Sequence, residues 1–107
     1  MAKTKPKPKT EAPEPPPPLS LSTTTQFARD VKRLQKRGKH LEKLHTVLGL
    51  LRTHQSLPPS QRDHALTGDR KGWRDCHIEP DWVLIYRIKG GELILGETGT
   101  HSDLFGK

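Results

Sequence analysis

The stretch WRDCHIEPDWVLIYRI, residues 73–88, decides the fold of this chain. It predicts two β-strands that meet at a corner at Glu79-Pro80-Asp81, because proline supplies no donor to a sheet ladder and the flanking residues have strand chemistry. The second half, VLIYRI, is almost continuously apolar, which is typical of a central strand covered on both faces. We therefore expect strands over residues 73–79 and 82–88.

The first ten residues of this stretch are unusually rich in titratable and aromatic side chains. They contain two tryptophans, a histidine, an arginine and three carboxylates. Because polar and titratable groups are costly to bury in a sheet, a functional role accounts for them better than a purely structural one. Strand alternation puts Asp75 and His77 on one face. Arg74 and Cys76 fall on the other face, where the single cysteine is expected to be a small buried hydrophobe rather than a reactive thiol.

Working outward, hydrophobic periodicity and turn signals predict the remaining elements. Lys89-Gly90-Gly91 is a hairpin signal, and the segments before and after the central pair continue the pattern. We expect a first strand at residues 19–22, helices at 26–37 and 39–54, a short strand at 64–66 and a last strand at 92–98. Gly38 is expected to end the first helix. The final polar and aromatic residues are poor choices for a frayed end.

Residues 1–20 differ in composition from the rest of the chain. They hold seven of the ten prolines and four lysines, which predicts an extended, disordered and solvated tail, with the domain at residues 21–107. The tail lacks the apolar run of a secretory signal, and no stretch is long enough to span a bilayer. We therefore expect a soluble, cytoplasmic protein, and one cysteine agrees with a reducing compartment without establishing it.

The net charge of +7 favours a polyanionic partner, with nucleic acid as the leading candidate. The first predicted helix has Phe27, Val31 and Leu34 at helical spacing on one face and a strongly basic opposite face. The alternative is that the charge serves solubility alone.

Three segments then carry a resemblance to a known family: RDVKRLQKR (29–37), DHALTGDRKGWRDCHIEPDWVLIYRI (63–88) and TGTHSDLFG (98–106). They closely resemble the YafQ type of toxin in the RelE/ParE superfamily of bacterial toxin–antitoxin systems, and the match runs from about residue 21 to 106. The Pro/Lys-rich tail departs from the usual pattern, since such toxins commonly begin close to the first strand.

The resemblance implies an α+β fold in which two N-terminal helices pack on a curved antiparallel sheet, without a metal or other cofactor. It implies an mRNA interferase, an endoribonuclease that cuts the message in the ribosomal A site. It also implies a cognate antitoxin of the DinJ/RelB type and hence a toxin–antitoxin hetero-oligomer. The family's catalytic positions correspond here to His64, His77, Asp81 and His101. Positions used for substrate or activity correspond to Trp82 and Phe105.

These residues suit metal-independent RNA cleavage, in which the 2′-hydroxyl of the RNA attacks the adjacent phosphorus. An unperturbed histidine pKa of about 6.5 suits both proton transfers. On the family match we expect His101 to be the general acid. Either His64 or His77 would serve as the base, and Asp81 would orient or charge one imidazole.

The substrate contacts follow from charge and ring chemistry. Lys71, Arg74 and Arg87 are candidates to offset phosphate charge, although alternation can turn Arg74 away from the site. Trp82 or Phe105 can stack on a base.

Three alternatives remain open at this point. A non-catalytic RNA- or ribosome-binding module would keep the basic surface without turnover. Poisoning of DNA gyrase, as in the ParE branch, would leave the histidines without a purpose. A zinc site built from His64, His77, His101 and Asp81 is chemically possible, but the spacings lack a compact metal motif.

Overall fold

The computed structural model describes residues 16–106, so the predicted tail lies outside the described residues up to residue 15. The first strand begins within one residue of its expected start at Leu19. Leu19 is buried in the core and Ser20 opens the first strand. The Leu19 N–H donates to the carbonyl of Arg52, and the Ser20 N–H donates to that of Gly91. The buried side chain of Leu19 and the two backbone hydrogen bonds together hold the start of the first strand in place.

One five-stranded sheet and three helices make up residues 16–106. They are β1 (Ser20–Thr23), α1 (Thr25–Lys36), α2 (Glu42–Arg52), β2 (His64–Ala65), β3 (Arg74–Glu79), β4 (Trp82–Lys89), β5 (Glu92–Gly99) and α3 (His101–Phe105). The strand order is β1-β5-β4-β3-β2. The α+β class is confirmed, and each predicted strand and helix is present with ends shifted by at most three residues. Within the described range, no helix is both long enough and apolar enough to cross a bilayer.

The sheet is mixed, because β1 pairs parallel with β5 from Ser20↔Glu92 to Thr23↔Leu95, whereas the other pairings are antiparallel. The reason is topological: the chain passes through both long helices and three further strands between β1 and β5, and only such a long connection allows two strands to run in the same direction. Register shifts at His77/Glu79 and Ile85/Tyr86 add bulges, which bend strands locally.

Each face of the sheet carries its own apolar cluster. On the first face, α1 and α2 pack on strands β3, β4 and β5, with Leu34, Leu48 and Leu84 among the buried residues. On the second face, Val83 and Ile85 of β4 pack against α3 and the segment before β3. The prediction that β4 is covered on both faces is therefore confirmed.

Local contacts explain where these elements begin and end. Thr24 caps α1, since its hydroxyl accepts the Phe27 N–H at 3.0 Å, and Gly38 follows the helix at φ +88° as expected for a C-terminal glycine. Trp73 lies against β5 at Gly96, where an added Cβ would stand 2.6 Å from the indole ring. Only glycine, which has no side chain, fits at this position. It leaves the space that the indole ring occupies, and Trp73 is therefore partly buried against β5.

Candidate active site

Strand β3 separates the polar and apolar residues of the central stretch as alternation predicts. His77 pairs with Val83 and Asp75 pairs with Ile85, and both partners belong to the cluster on the second face. Cys76 is fully buried on the helix side, where burial raises the pKa of its thiol to about 12. The structural role predicted for Cys76 is confirmed, and the second face is left to the titratable groups.

Helix α3, which the sequence analysis did not predict, holds the C-terminal histidine beside this face. Thr100 and Asp103 form a reciprocal capping box at its start. The Asp103 carboxylate also accepts two hydrogen bonds from Arg37, the residue that follows α1, at 2.8 and 3.0 Å, which keep the pKa of this carboxyl far below its usual value. The signal for α3 was in the sequence: the threonine and aspartate are three residues apart, before an apolar pair.

His101, the first residue of α3, is joined to the corner after β3. Its Nδ1 and the carboxylate Oδ1 of Asp81 lie 2.7 Å apart, and its backbone N–H donates to the same oxygen at 2.9 Å. Because a carboxylate only accepts, Nδ1 carries the proton, and Nε2 is the nitrogen left for a substrate. The backbone and then the imidazole hydrogen bond lower the pKa of Asp81.

His77 stands directly beside His101. The two ring centroids are 5.1 Å apart, and the rings meet edge to face at 75°. Burial lowers the pKa of His77, and the charge of Asp75 acts in the opposite direction. The environment therefore favours a neutral His77 imidazole, which is able to accept a proton.

His64 occupies β2 at the edge of the sheet, opposite Asp75. Its Nδ1 lies 2.7 Å from the Arg62 carbonyl, which only accepts, so Nδ1 carries the hydrogen and Nε2 of the neutral ring is the acceptor. The same Nδ1 is 3.2 Å from Oδ1 of Asp75. The four predicted catalytic residues thus lie on one side of the sheet. His64 pairs with Asp75, which shares a face of β3 with His77, and His101 contacts both His77 and Asp81.

Asp75 is a residue of the cluster that the predicted catalytic set omitted. The residue is only 5% exposed, and its Oδ1 accepts no hydrogen bond within the described part of the chain, because the His64 Nδ1 hydrogen 3.2 Å away is donated to the Arg62 carbonyl. Burial raises the pKa of Asp75, while the three imidazoles of His64, His77 and His101 oppose that rise. Strand alternation was the available signal, because it places Asp75 on the face of His77.

Trp82 requires a correction, because we expected it to contact substrate. It is 1% exposed and belongs to the core on the helix side, with its indole N–H donating to the Thr98 hydroxyl at 2.9 Å. Stacking on a base needs a free ring face, and Trp82 has none. Adjacent strand residues point to opposite faces, so the exposed Asp81 was a signal that Trp82 points inward.

Arg74 is also corrected. It pairs with Tyr86, whose side chain lies in the core on the helix side, and its guanidinium donates to Asp63 at 3.2 Å. It therefore lies on the opposite face of the sheet from His77, as alternation indicated.

The other predicted substrate residues divide into one inside the cluster and two outside it. Phe105 lies 6.1 Å from the His101 ring between centroids, and the Arg70 guanidinium covers the phenyl ring at 5.1 Å. Arg87 stacks on Trp73 at 5.2 Å, four residues along β4 from Val83, or roughly 13 Å away at strand spacing. Lys71 is exposed in the turn before β3. Substrate contacts of these three residues stay predictions.

A zinc site is the alternative that the sequence leaves open for the same residues. Within residues 16–106, no three histidine, cysteine, aspartate or glutamate side chains are grouped so as to hold a metal ion. Among these residues the side-chain contacts are pairwise, with Asp81 on His101 and Asp75 on His64.

Comparison with known proteins places this geometry in context. Residues 19–106 match the family model described as the bacterial toxin of type II toxin–antitoxin systems, YafQ. The mRNA interferase toxin YafQ of Escherichia coli K12 is 46% identical over 82 residues, which are 76% of this chain and 89% of that protein.

Solved structures with the same fold include two toxins. A chain of the E. coli DinJ–YafQ toxin–antitoxin complex matches with a TM-score of 0.76 and 43% identity, covering 82% of this chain and 98% of that one. A metal-bound toxin from Helicobacter pylori matches with a TM-score of 0.76 and 43% identity, covering 81% of this chain and 99% of that one.

Proposed function

Because the chain belongs to the YafQ family of toxins of type II toxin–antitoxin systems, we propose that it is an mRNA interferase that cleaves translated message on the ribosome by general acid–base catalysis. The single observation that carries the mechanism is the contact between His77 and His101, two imidazoles 5.1 Å apart with different environments. His77 is partly buried and favoured as a neutral base, and His101 is hydrogen-bonded to Asp81. Such a pair suits one proton removal and one proton delivery.

His77 or His64 removes the proton of the RNA 2′-hydroxyl. The O2′ atom then forms a bond to the adjacent phosphorus while the bond from phosphorus to O5′ breaks. His101 delivers the proton of its Nε2 to the leaving O5′. The products are a 2′,3′-cyclic phosphate and a 5′-hydroxyl end, so protons and electron pairs balance without a redox partner.

Asp81 supports His101 as the acid in this scheme. Its carboxylate accepts the Nδ1 hydrogen at 2.7 Å, which orients the ring with Nε2 outward. Either base has its acceptor nitrogen available: His64 through the hydrogen bond of its Nδ1 to the Arg62 carbonyl, and His77 through burial, which lowers its pKa. The nucleophile comes from the RNA itself, so the proposed mechanism needs no metal.

The proposed site of action is the ribosomal A site. A net charge of +7 and the exposed cations Arg29, Lys32 and Lys36 on α1 support binding to a surface of RNA phosphates. Phe105, beside His101, is the proposed stacking platform for a base of the message.

The test is to map cut sites in a translating extract and in the same message without ribosomes. We expect cuts in translated message only when ribosomes are present, with 5′-hydroxyl ends. Equal cutting of free message would contradict ribosome dependence, and 5′-phosphate ends would contradict attack by the 2′-hydroxyl. A chelator selective for transition metals, used with Mg²⁺ retained for the ribosomes, should leave the rate unchanged.

We also propose a cognate antitoxin of the DinJ/RelB type as the partner, in a toxin–antitoxin hetero-oligomer. Charge supports it, because an acidic antitoxin segment complements the basic face of α1. Co-expression with the adjacent reading frame should yield a co-purifying complex that lacks nuclease activity. Recovery of the free, active toxin from that co-expression would count against this partner.

A further inference from the structure

A cavity of about 460 Å³ opens beside His77, and neither His101 nor Phe105 lines it. Its volume falls in the range of small-molecule sites, roughly 300–1,000 Å³. His77 belongs to both the cluster and the cavity wall, so an RNA whose ribose meets the imidazoles places a neighbouring group in this cavity. The other lining residues are Ser60, Gln61, Arg62, Ile78, Glu79 and Pro80.

Arg62 stands out within this wall because of its backbone. It has φ 50° and ψ 46°, the left-handed region that side-chain-bearing residues rarely adopt. In this conformation its carbonyl accepts the Nδ1 hydrogen of His64 at 2.7 Å. Arg62 therefore contacts His64, one proposed base, and also lines the cavity beside His77, the other proposed base. Backbone strain of this kind is common at functional sites.

The charge of Arg62 is available to a substrate. Arg62 is exposed, and no carboxylate within the described part of the chain forms an ion pair with it. The nearby arginines are engaged, since Arg74 pairs with Asp63 and Arg70 pairs with Glu97. Burial is the main cause that lowers the pKa of His77, and the positive charge of Arg62 adds to the effect.

We infer that Arg62 is a further catalytic residue of the proposed ribonuclease: its guanidinium binds the non-bridging oxygens of the scissile phosphate, and the cavity takes the adjoining nucleotide. This inference rests on the proposed function. As O2′ adds to phosphorus, negative charge grows on those oxygens, and a planar guanidinium can donate two parallel hydrogen bonds to them. Arg62 replaces Arg74, which lies on the other face of the sheet, in the role of offsetting phosphate charge.

The experiment measures single-turnover cleavage of a message on programmed ribosomes with saturating toxin. Arg62→Ala should lower the rate constant at saturation by about 10²-fold or more, as expected for the loss of one group that stabilises transition-state charge. Arg62→Lys should recover part of the rate. Lys89→Ala, which removes an exposed cation at the end of β4, is the matched control and should cleave at the wild-type rate.

Two further measurements separate catalysis from folding and docking. Replacing one non-bridging oxygen of the scissile phosphate by sulfur should slow the wild-type chain more than it slows Arg62→Ala, because only the former contacts that atom. Arg62→Gly relieves the left-handed strain, so a merely conformational role predicts retained activity, whereas loss of the guanidinium predicts the same defect as Arg62→Ala.

The outcomes are distinguishable. If the wild-type chain cleaves no message, the proposed function fails and this inference fails with it. If the wild-type chain cleaves and Arg62→Ala matches it at saturation, or only the concentration for half-saturation rises, then the catalytic role of Arg62 alone is overturned.

Discussion

The two faces of strand β3 use the same backbone for opposite purposes. On the helix side, Cys76 and Ile78 are buried among apolar side chains. On the other side, Asp75 keeps an oxygen without a hydrogen bond, and His77 meets a second imidazole. Successive residues of a strand point to opposite faces. The apolar residues of one face can therefore stabilise the strand, while the other face carries polar groups that are costly to bury.

The largest effect should come from His101→Ala on the face that carries the histidine cluster. Loss of the acid should lower the cleavage rate constant by about 10²–10⁴-fold. The free energy of unfolding should change by about 0.5 kcal/mol or less, because the side chain is 40% exposed. His45→Ala, an exposed histidine on α2, is the control. Cleavage at the wild-type rate in the His101 variant would refute its role as general acid.

Trp82→Phe tests the opposite face. It removes the indole hydrogen bond to Thr98 and leaves space in the core, so the free energy of unfolding should fall by about 2 kcal/mol. Cleavage per folded molecule should stay at the wild-type value. Urea denaturation and single-turnover assays measure the two quantities. A loss of cleavage with unchanged stability would restore Trp82 as a substrate contact and weaken the division between the faces.

The pH dependence sharpens the comparison within the catalytic face. In His64→Ala, His77 is the remaining base, and its lowered pKa keeps it neutral at a pH where an ordinary histidine is protonated. The acidic limb of the rate profile should therefore lie below about pH 6.5. Adding Asp75→Asn removes a charge that raises the pKa of His77, so the limb should move lower still. A limb that moves upward would contradict this electrostatic coupling.

The smallest effect is the stability of Asp75→Asn. The pKa of Asp75 is raised in the folded chain, mainly by burial, so the folded state binds the proton more tightly than the unfolded state does. Stability then falls as pH rises, and the variant should be more stable than the wild type at pH 7 by on the order of 1 kcal/mol. The difference should vanish below about pH 3.9, where the carboxyl is protonated in both states. A less stable variant at pH 7 would show that Asp75 is a structural residue.

Much of the fold was legible from local patterns. The helices followed from apolar residues at helical spacing, and β4 followed from its apolar run between a proline corner and a glycine hairpin. The parallel pairing of β1 with β5 was not predictable from the sequence, because it depends on where the chain returns after two helices and three other strands. Helix α3 was missed although its capping box was present, since a five-residue helix has too short an apolar pattern to detect.

The candidate site was predictable in its members more than in its arrangement. The resemblance supplied His64, His77, Asp81 and His101, and the structure brings them together. Trp82 was misread, because an aromatic residue in a motif looks the same whether its ring faces a substrate or the core. Asp75 was left out of the catalytic set, because its significance lies in an oxygen without a hydrogen-bond partner, which no sequence pattern reports.

The sequence by itself determined which residues share a face of a strand or helix, because those relations follow from covalent geometry over a few residues. Tertiary structure alone decided that Asp81 reaches His101 across twenty residues of chain, and that the Nδ1 atoms of His64 and His101 are hydrogen-bonded, which leaves the Nε2 atom of each ring for a substrate. Such contacts depend on the closure of long loops and on which neighbours exclude water, and the local sequence determines neither property.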